Sequence, residues 1–126
     1  VYKAGGVVEA GRVQGDLAVS RAFADFSYKN NSAIGPEKQM VTVMPDISIR
    51  DRNEAEDEFL VLACDGIWDV MSNEEAVAFA RERIQKGMAL EKICEEMMDN
   101  CIASDPKETR GIGGDNMTVV IVTFKQ

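Results

Sequence analysis

Histidine is absent from the 126 residues, and that zero removes whole classes of chemistry. Neither a Ser-His-Asp or Cys-His catalytic machine nor a His-ligated zinc can be built within this chain. Acid–base or metal chemistry must rest on carboxylates. Basic residues are also scarce: 14 Lys and Arg stand against 22 Asp and Glu, a formal net charge of −8. The chain lacks the basic stripe that a nucleic-acid backbone demands and the polybasic patch that anionic lipid attracts, so neither partner is expected. No apolar run approaches the roughly 18 residues of a membrane span, and no N-terminal signal pattern is visible.

Cysteine is sparse too. Cys64, Cys94 and Cys101 form no Cys-x-x-Cys and leave an odd thiol if two pair. All three sit in apolar segments, the pattern of reduced, buried thiols in an intracellular protein. What remains is a globular composition, 45% hydrophobic and 29% charged, of a length that fits one domain. The chain opens at Val1 in the middle of what reads as folded sequence, as a piece of something longer would.

Val7 to Val19, broken by Gly11 and Gly15, predicts two short strands turning near Gln14-Gly15-Asp16. Ser20 to Phe23 reads as one helical turn. The polar stretch 25–39 shows no period and reads as a long surface loop, of a kind that is often functional. Met40 to Arg50 reads as a strand interrupted at Pro45, and Asp51 to Asp57 as an acidic turn. Phe59 to Cys64 is a continuous apolar run, the pattern of a strand buried on both faces.

Two helices are predicted next. Ser72 and Glu75 make a capping box, Ala76, Val77, Phe79, Ala80 and Ile84 form an apolar face, and Gly87 stops the helix. In the second, Leu90, Ile93, Cys94, Met97, Met98, Cys101 and Ile102 recur at steps of three and four, a wide buried stripe. A glycine-rich loop, 105–114, leads into a β-rich run over 117–124. The order of elements predicts an α+β fold with a helix pair on one face of an antiparallel sheet.

Two aspartates stand out. Asp65 directly follows one apolar strand and Asp115 closely precedes the other. If the strands pair antiparallel, both carboxylates reach the same rim. Two such charges about 4 Å apart repel by ~1 kcal/mol in water and ~4 kcal/mol at an effective dielectric of about 20. A cation or a shared proton offsets that cost. Oxygen-only donors favour Mg²⁺ or Mn²⁺ over zinc, and Gly66, Gly113 and Gly114 let the backbone crowd around an ion. The same residues also suit an ordinary hairpin turn and an ordinary loop. Two carboxylates cannot complete an octahedral site, so further ligands are required.

The run Phe59-Leu60-Val61-Leu62-Ala63-Cys64-Asp65-Gly66-Ile67-Trp68-Asp69-Val70 resembles the Asp-Gly-hydrophobic-Trp-Asp segment of the metal-dependent serine/threonine protein phosphatases, the phosphatase 2C family. The stretch from Arg12 to Asp25 resembles a second block of that family, and Gly113 to Val120 its last. The three follow the family's order. The resemblance implies an α-β-β-α sandwich with antiparallel sheets and a two-metal centre that hydrolyses phosphoserine or phosphothreonine in phosphoproteins. Asp65 and Asp115 match metal-binding aspartates. By the same resemblance Asn116 orients Asp115 or nearby backbone, Trp68 and Asp69 lock the turn after Asp65, and 25–39 matches a flap that selects substrate, with Asp25, Tyr28 and Lys29 as its candidate contacts.

There are departures. The family's Asp-Gly-His-Gly-Gly block, its upstream acidic ligands, its phosphate-binding arginine and its candidate acid histidine are all missing. Ala24 stands where the family usually has glycine. The resemblance therefore implies the C-terminal portion of the catalytic domain across 1–126, with a partial metal site and no turnover alone. Half a sandwich would expose apolar surface and a bare sheet edge, inviting dimerisation or strand exchange. The alternative is a catalytically dead phosphatase-like module that binds phosphoproteins or a regulatory partner.

Overall fold

The structure, a computed structural model, describes residues 1–124. The chain divides into two compact units, Val1–Arg50 and Asp51–Gln126. The elements are β1 (Val8–Glu9), β2 (Arg12–Val13), β3 (Phe59–Ala63), α1 (Asp65–Trp68), α2 (Asn73–Gln85), α3 (Leu90–Cys101) and β4 (Val119–Thr123), with short 3-10 turns in the first unit. The mixture is α+β, with two small antiparallel sheets.

In the second unit β3 pairs antiparallel with β4, from Phe59↔Thr123 to Ala63↔Val119. Strand side chains alternate between faces. Phe59, Val61, Ala63, Val119 and Ile121 pack against a core of Ile67, Met71, Ala76, Ala80, Ile93, Met97 and Cys101. The stripe expected on α3 is present: Ile93, Met97 and Cys101 are spaced four apart and buried. Helix α2 offers the small residues Ala76 and Ala80 to that contact, which lets the two helices approach closely. Outside the core, Arg83 joins them: its guanidinium lies 3.3 Å from the Phe79 ring centroid, and its Nε donates to Glu96 at 2.8 Å.

The opposite face of this sheet differs from the expectation of burial on both faces. Leu60, Leu62, Val120 and Val122 are 50%, 52%, 50% and 43% exposed. A continuous apolar run states that both faces prefer cover, and within this chain the helices supply it to only one.

The caps of α2 follow the sequence closely. The Ser72 hydroxyl accepts the Glu75 N–H at 3.2 Å, and the Ser72 N–H donates to the Glu75 carboxylate at 2.8 Å. Gly87, at φ +73°, ends the last turn.

In the first unit Ala4, Val13 and Val41 are buried. The hairpin turn falls at Ala10-Gly11, where both residues have positive φ. Gln14-Gly15 forms a second turn after β2 that closes the Val13–Leu17 bridge, so the sequence placed the turn one strand too late. Ser20 to Phe23 is not helical: Arg21 bridges to Thr42 in parallel sense. That bridge is also all that remains of the strand expected over Met40 to Arg50. The loop 25–39 is more ordered than its composition implies. It holds 3-10 turns at Phe26–Tyr28 and Pro36–Lys38, and the Gln39 amide donates to the Asn31 and Ile34 carbonyls at 2.8 and 3.0 Å. Ala24 has φ +53°, a left-handed conformation that suits glycine better than alanine.

Three outcomes are expected. Ile93→Ala removes a fully buried side chain and should cost about 2–5 kcal/mol in urea unfolding. At Ala24, relief of about 1–2 kcal/mol of left-handed strain outweighs the roughly 0.4–1 kcal/mol of unfolded-state entropy that glycine adds. Ala24→Gly should thus raise the urea midpoint, by a fraction of a kcal/mol. The Glu75 carboxyl is held below its ordinary value by the Ser72 N–H first and then by the Ser72 hydroxyl. Its stabilisation is present above the ordinary value of about 4.3 and is lost as pH falls through the lowered folded value. Thermal unfolding between pH 7 and pH 3 should show that acid-side loss, and Glu75→Gln should reduce it.

Candidate metal centre

The register of β3 and β4 carries their ends to one rim of the second unit. Beyond Ala63↔Val119 the two segments stay joined, the Cys64 N–H donating to the Thr118 carbonyl at 3.1 Å. One residue later Asp65 opens α1, and on the opposite segment Asp115 and Asn116 lead into β4. Both carboxylates are exposed.

Each is steadied by its own main chain. Asp65 Oδ1 accepts the Gly66 N–H at 3.1 Å, and Asp115 Oδ1 accepts the Asn116 N–H at 2.7 Å. The Trp68 indole N–H donates to the Ala63 carbonyl at 2.9 Å, folding α1 back on the strand, while the Asp69 N–H closes the turn onto the Asp65 carbonyl at 2.8 Å.

Two glycines set the spacing. Gly66 is buried, and a Cβ there would come 2.3 Å from the Asn116 carbonyl oxygen. Gly113, at φ +75°, lies against the end of α3, where a Cβ would meet the Cys101 carbonyl at 2.6 Å. Its own carbonyl accepts the Ala103 N–H at 2.9 Å. The chain is thus pinned before Asp115 against the end of α3 at Gly113, and just after Asp115 its Asn116 backbone approaches α1 at Gly66.

The chemistry of the donors fits part of a hard-cation site. Asp65 and Asp115 offer carboxylate oxygens at one rim, the donor type that Mg²⁺ and Mn²⁺ take. Among the described residues no group of three or more His, Cys, Asp or Glu side chains is placed to hold a metal ion. The donor set is therefore partial.

In the first unit the structure commits the flap candidates to their own neighbourhood. The Tyr28 hydroxyl donates to Asp16 Oδ2 at 3.2 Å, and Lys29 Nζ donates to the Ala22 carbonyl at 2.6 Å. Partial burial, then the Asp16 carboxylate, raise Tyr28 above its ordinary pKa. Asp25, at φ +49°, precedes the 3-10 turn. Phe23 and Phe26, just before and within the loop, stand open to solvent, 88% and 77% exposed. Sequence reasoning passed over both. The available signal was two phenylalanines three positions apart in a polar stretch.

Residues 1–109 match the family model described as protein phosphatase 2C. The chain is 54% identical over 124 residues to protein phosphatase 2C homolog 2 of Hypocrea jecorina, covering 98% of this chain and 28% of that protein. It is 54% identical over 126 residues to protein phosphatase 2C homolog 3 of Schizosaccharomyces pombe, covering 100% and 30%. Identity to the probable protein phosphatase 2C 21 of Arabidopsis thaliana is 45% over 126 residues, covering 100% and 35%. The chain thus spans about a third of the length of these relatives. A crystal structure of a phosphatase from a pathogenic strain of Toxoplasma gondii superposes with a TM-score of 0.73 at 30% identity, covering 98% of this chain and 36% of that one. With three ordered sequence blocks, one α+β fold and these matches in agreement, the chain belongs to the protein phosphatase 2C family.

Proposed function

We propose that the protein hydrolyses phosphoserine and phosphothreonine in phosphoproteins, with Asp65 and Asp115 among the carboxylates that hold Mg²⁺ or Mn²⁺. The observation that carries this reading is the β3–β4 register, which delivers both aspartates to one rim and seats Gly66 against Asn116. When bound, the cations supply Lewis acidity and an activated water to the phosphoryl centre. Asp65 and Asp115 hold them, and the Gly66 and Asn116 N–H groups fix the two carboxylates. A bound cation also reconciles an acidic chain with an anionic substrate.

The remaining ligands come from sequence outside these residues, and this chain alone is inactive. The partial donor set supports that reading. Loop 25–39 and the exposed Phe23 and Phe26 before and within it select substrate. Free Cys64, Cys94 and Cys101 support an intracellular setting. The bare apolar face of Leu60, Leu62, Val120 and Val122 supports dimerisation or strand exchange of the isolated chain. The same partial donor set favours one other reading, a module that binds phosphoproteins without turnover.

In the full-length protein, Asp65→Asn and Asp115→Asn should each lower Mn²⁺-dependent kcat/KM on a phosphothreonine peptide by at least about a hundredfold, with unchanged circular dichroism. Unchanged turnover in both variants would overturn the assignment. Wild-type protein that captures the peptide and never cleaves it would favour the binding module instead.

A further inference from the structure

One contact between the two aspartate-bearing segments is made by a side chain that the proposed chemistry does not use. Cys64 belongs to one of them, and its sulfur faces across to the other segment. The Thr118 N–H donates to Cys64 Sγ at 3.2 Å, and the Cys64 thiol donates to the Asn116 carbonyl at 3.5 Å. The main-chain bond from Cys64 N–H to the Thr118 carbonyl runs beside them. Asn116 is joined to Asp115 by a peptide bond, and its carbonyl is the atom that Gly66 must approach without a Cβ. Four residues, Cys64, Gly66, Asn116 and Thr118, therefore meet at the base of the two carboxylates.

We propose that Cys64 and Gly66 are positioning residues: the Cys64 thiol and the bare Gly66 Cα together clasp the Asn116 backbone and set the separation of the Asp65 and Asp115 carboxylates. This rests on the proposed metal-binding role of those aspartates. The thiol both donates and accepts, which a hydroxyl can also do and a methyl group cannot. Its hydrogen bonds sit where the ladder of β3 and β4 ends and the chains would otherwise diverge. Gly66 acts by absence, because any Cβ must push the Asn116 carbonyl away. Neither residue needs to touch the ion. Both act through the placement of Asp115 relative to Asp65.

The test is Mn²⁺ binding to the full-length protein, read by electron paramagnetic resonance of free Mn²⁺, beside thermal unfolding in EDTA. Cys64→Ala should weaken Mn²⁺ binding by about fivefold or more, the value of one lost hydrogen bond, while Cys64→Ser stays within about twofold of wild type. Gly66→Ala should weaken binding further. Unfolding in EDTA separates positioning from stability: Cys64→Ala and Cys64→Ser should differ in metal affinity by more than their stabilities differ. Equal Mn²⁺ affinity in Cys64→Ala and wild type would overturn the clasp, even if Gly66→Ala fails to fold. Asp65→Asn and Asp115→Asn serve as controls. If they too leave Mn²⁺ binding unchanged, the metal assignment itself has failed, a result distinct from failure of the clasp alone.

Discussion

The antiparallel pairing of Phe59–Ala63 with Val119–Thr123 is the constraint from which the rest of the second unit follows. One pairing fixes two things at once. It places Phe59, Val61, Ala63, Val119 and Ile121 on one face, where the helices cover them, and it brings residues 56 positions apart, at Ala63 and Val119, into register at the rim. Slipping the register by one would turn the apolar set over and would also part the segments that carry Asp65 and Asp115. The core and the candidate centre are thus products of the same ladder. Helices α2 and α3 make this geometry possible by returning the chain from the end of β3 to the start of β4.

Charge is divided unevenly along the chain. The second unit carries 17 acidic and 8 basic residues, whereas the first carries 5 and 6. The proposed cation centre lies in the unit whose own field most strongly repels an anion. A phosphoryl group approaching that rim needs positive charge there, and two of the unit's arginines are committed to carboxylates of their own, Arg81 to Glu58 and Arg83 to Glu96. In the proposed reading, divalent cations held by Asp65 and Asp115 would answer that need.

Local and periodic signals were legible in the sequence. Ser72 and Glu75 form their capping box as three-residue spacing dictates, and the four-residue spacing of Ile93, Met97 and Cys101 survives as a buried stripe. The rim was legible for a related reason, since Asp65 and Asp115 flank apolar runs that need only an antiparallel partner. Features that depend on a neighbour were harder to read. Met40 to Arg50 has strand composition, yet only Thr42 finds a bridge, because β propensity describes fit to a sheet rather than the presence of one. The run that holds Leu60 and Leu62 has the hydrophobicity of a two-faced strand, yet the face these two residues form is the one left open. The hydrogen bonds of Tyr28 to Asp16 and of Lys29 to the Ala22 carbonyl, which tie loop 25–39 to the segment before it, depend on partners that the loop's own sequence does not name. The Cys64 contacts were invisible in the sequence, since they join positions 52 and 54 residues apart.

The central claim is that one divalent ion is shared by two carboxylates delivered by opposite strands. A crystal structure of the full-length protein with Mn²⁺, phased by anomalous scattering at the manganese edge, tests it most directly. A manganese peak with carboxylate oxygens of both Asp65 and Asp115 at about 2.1 Å is the predicted result. Manganese bound elsewhere, with the two carboxylates out of reach of any common ion, would contradict it.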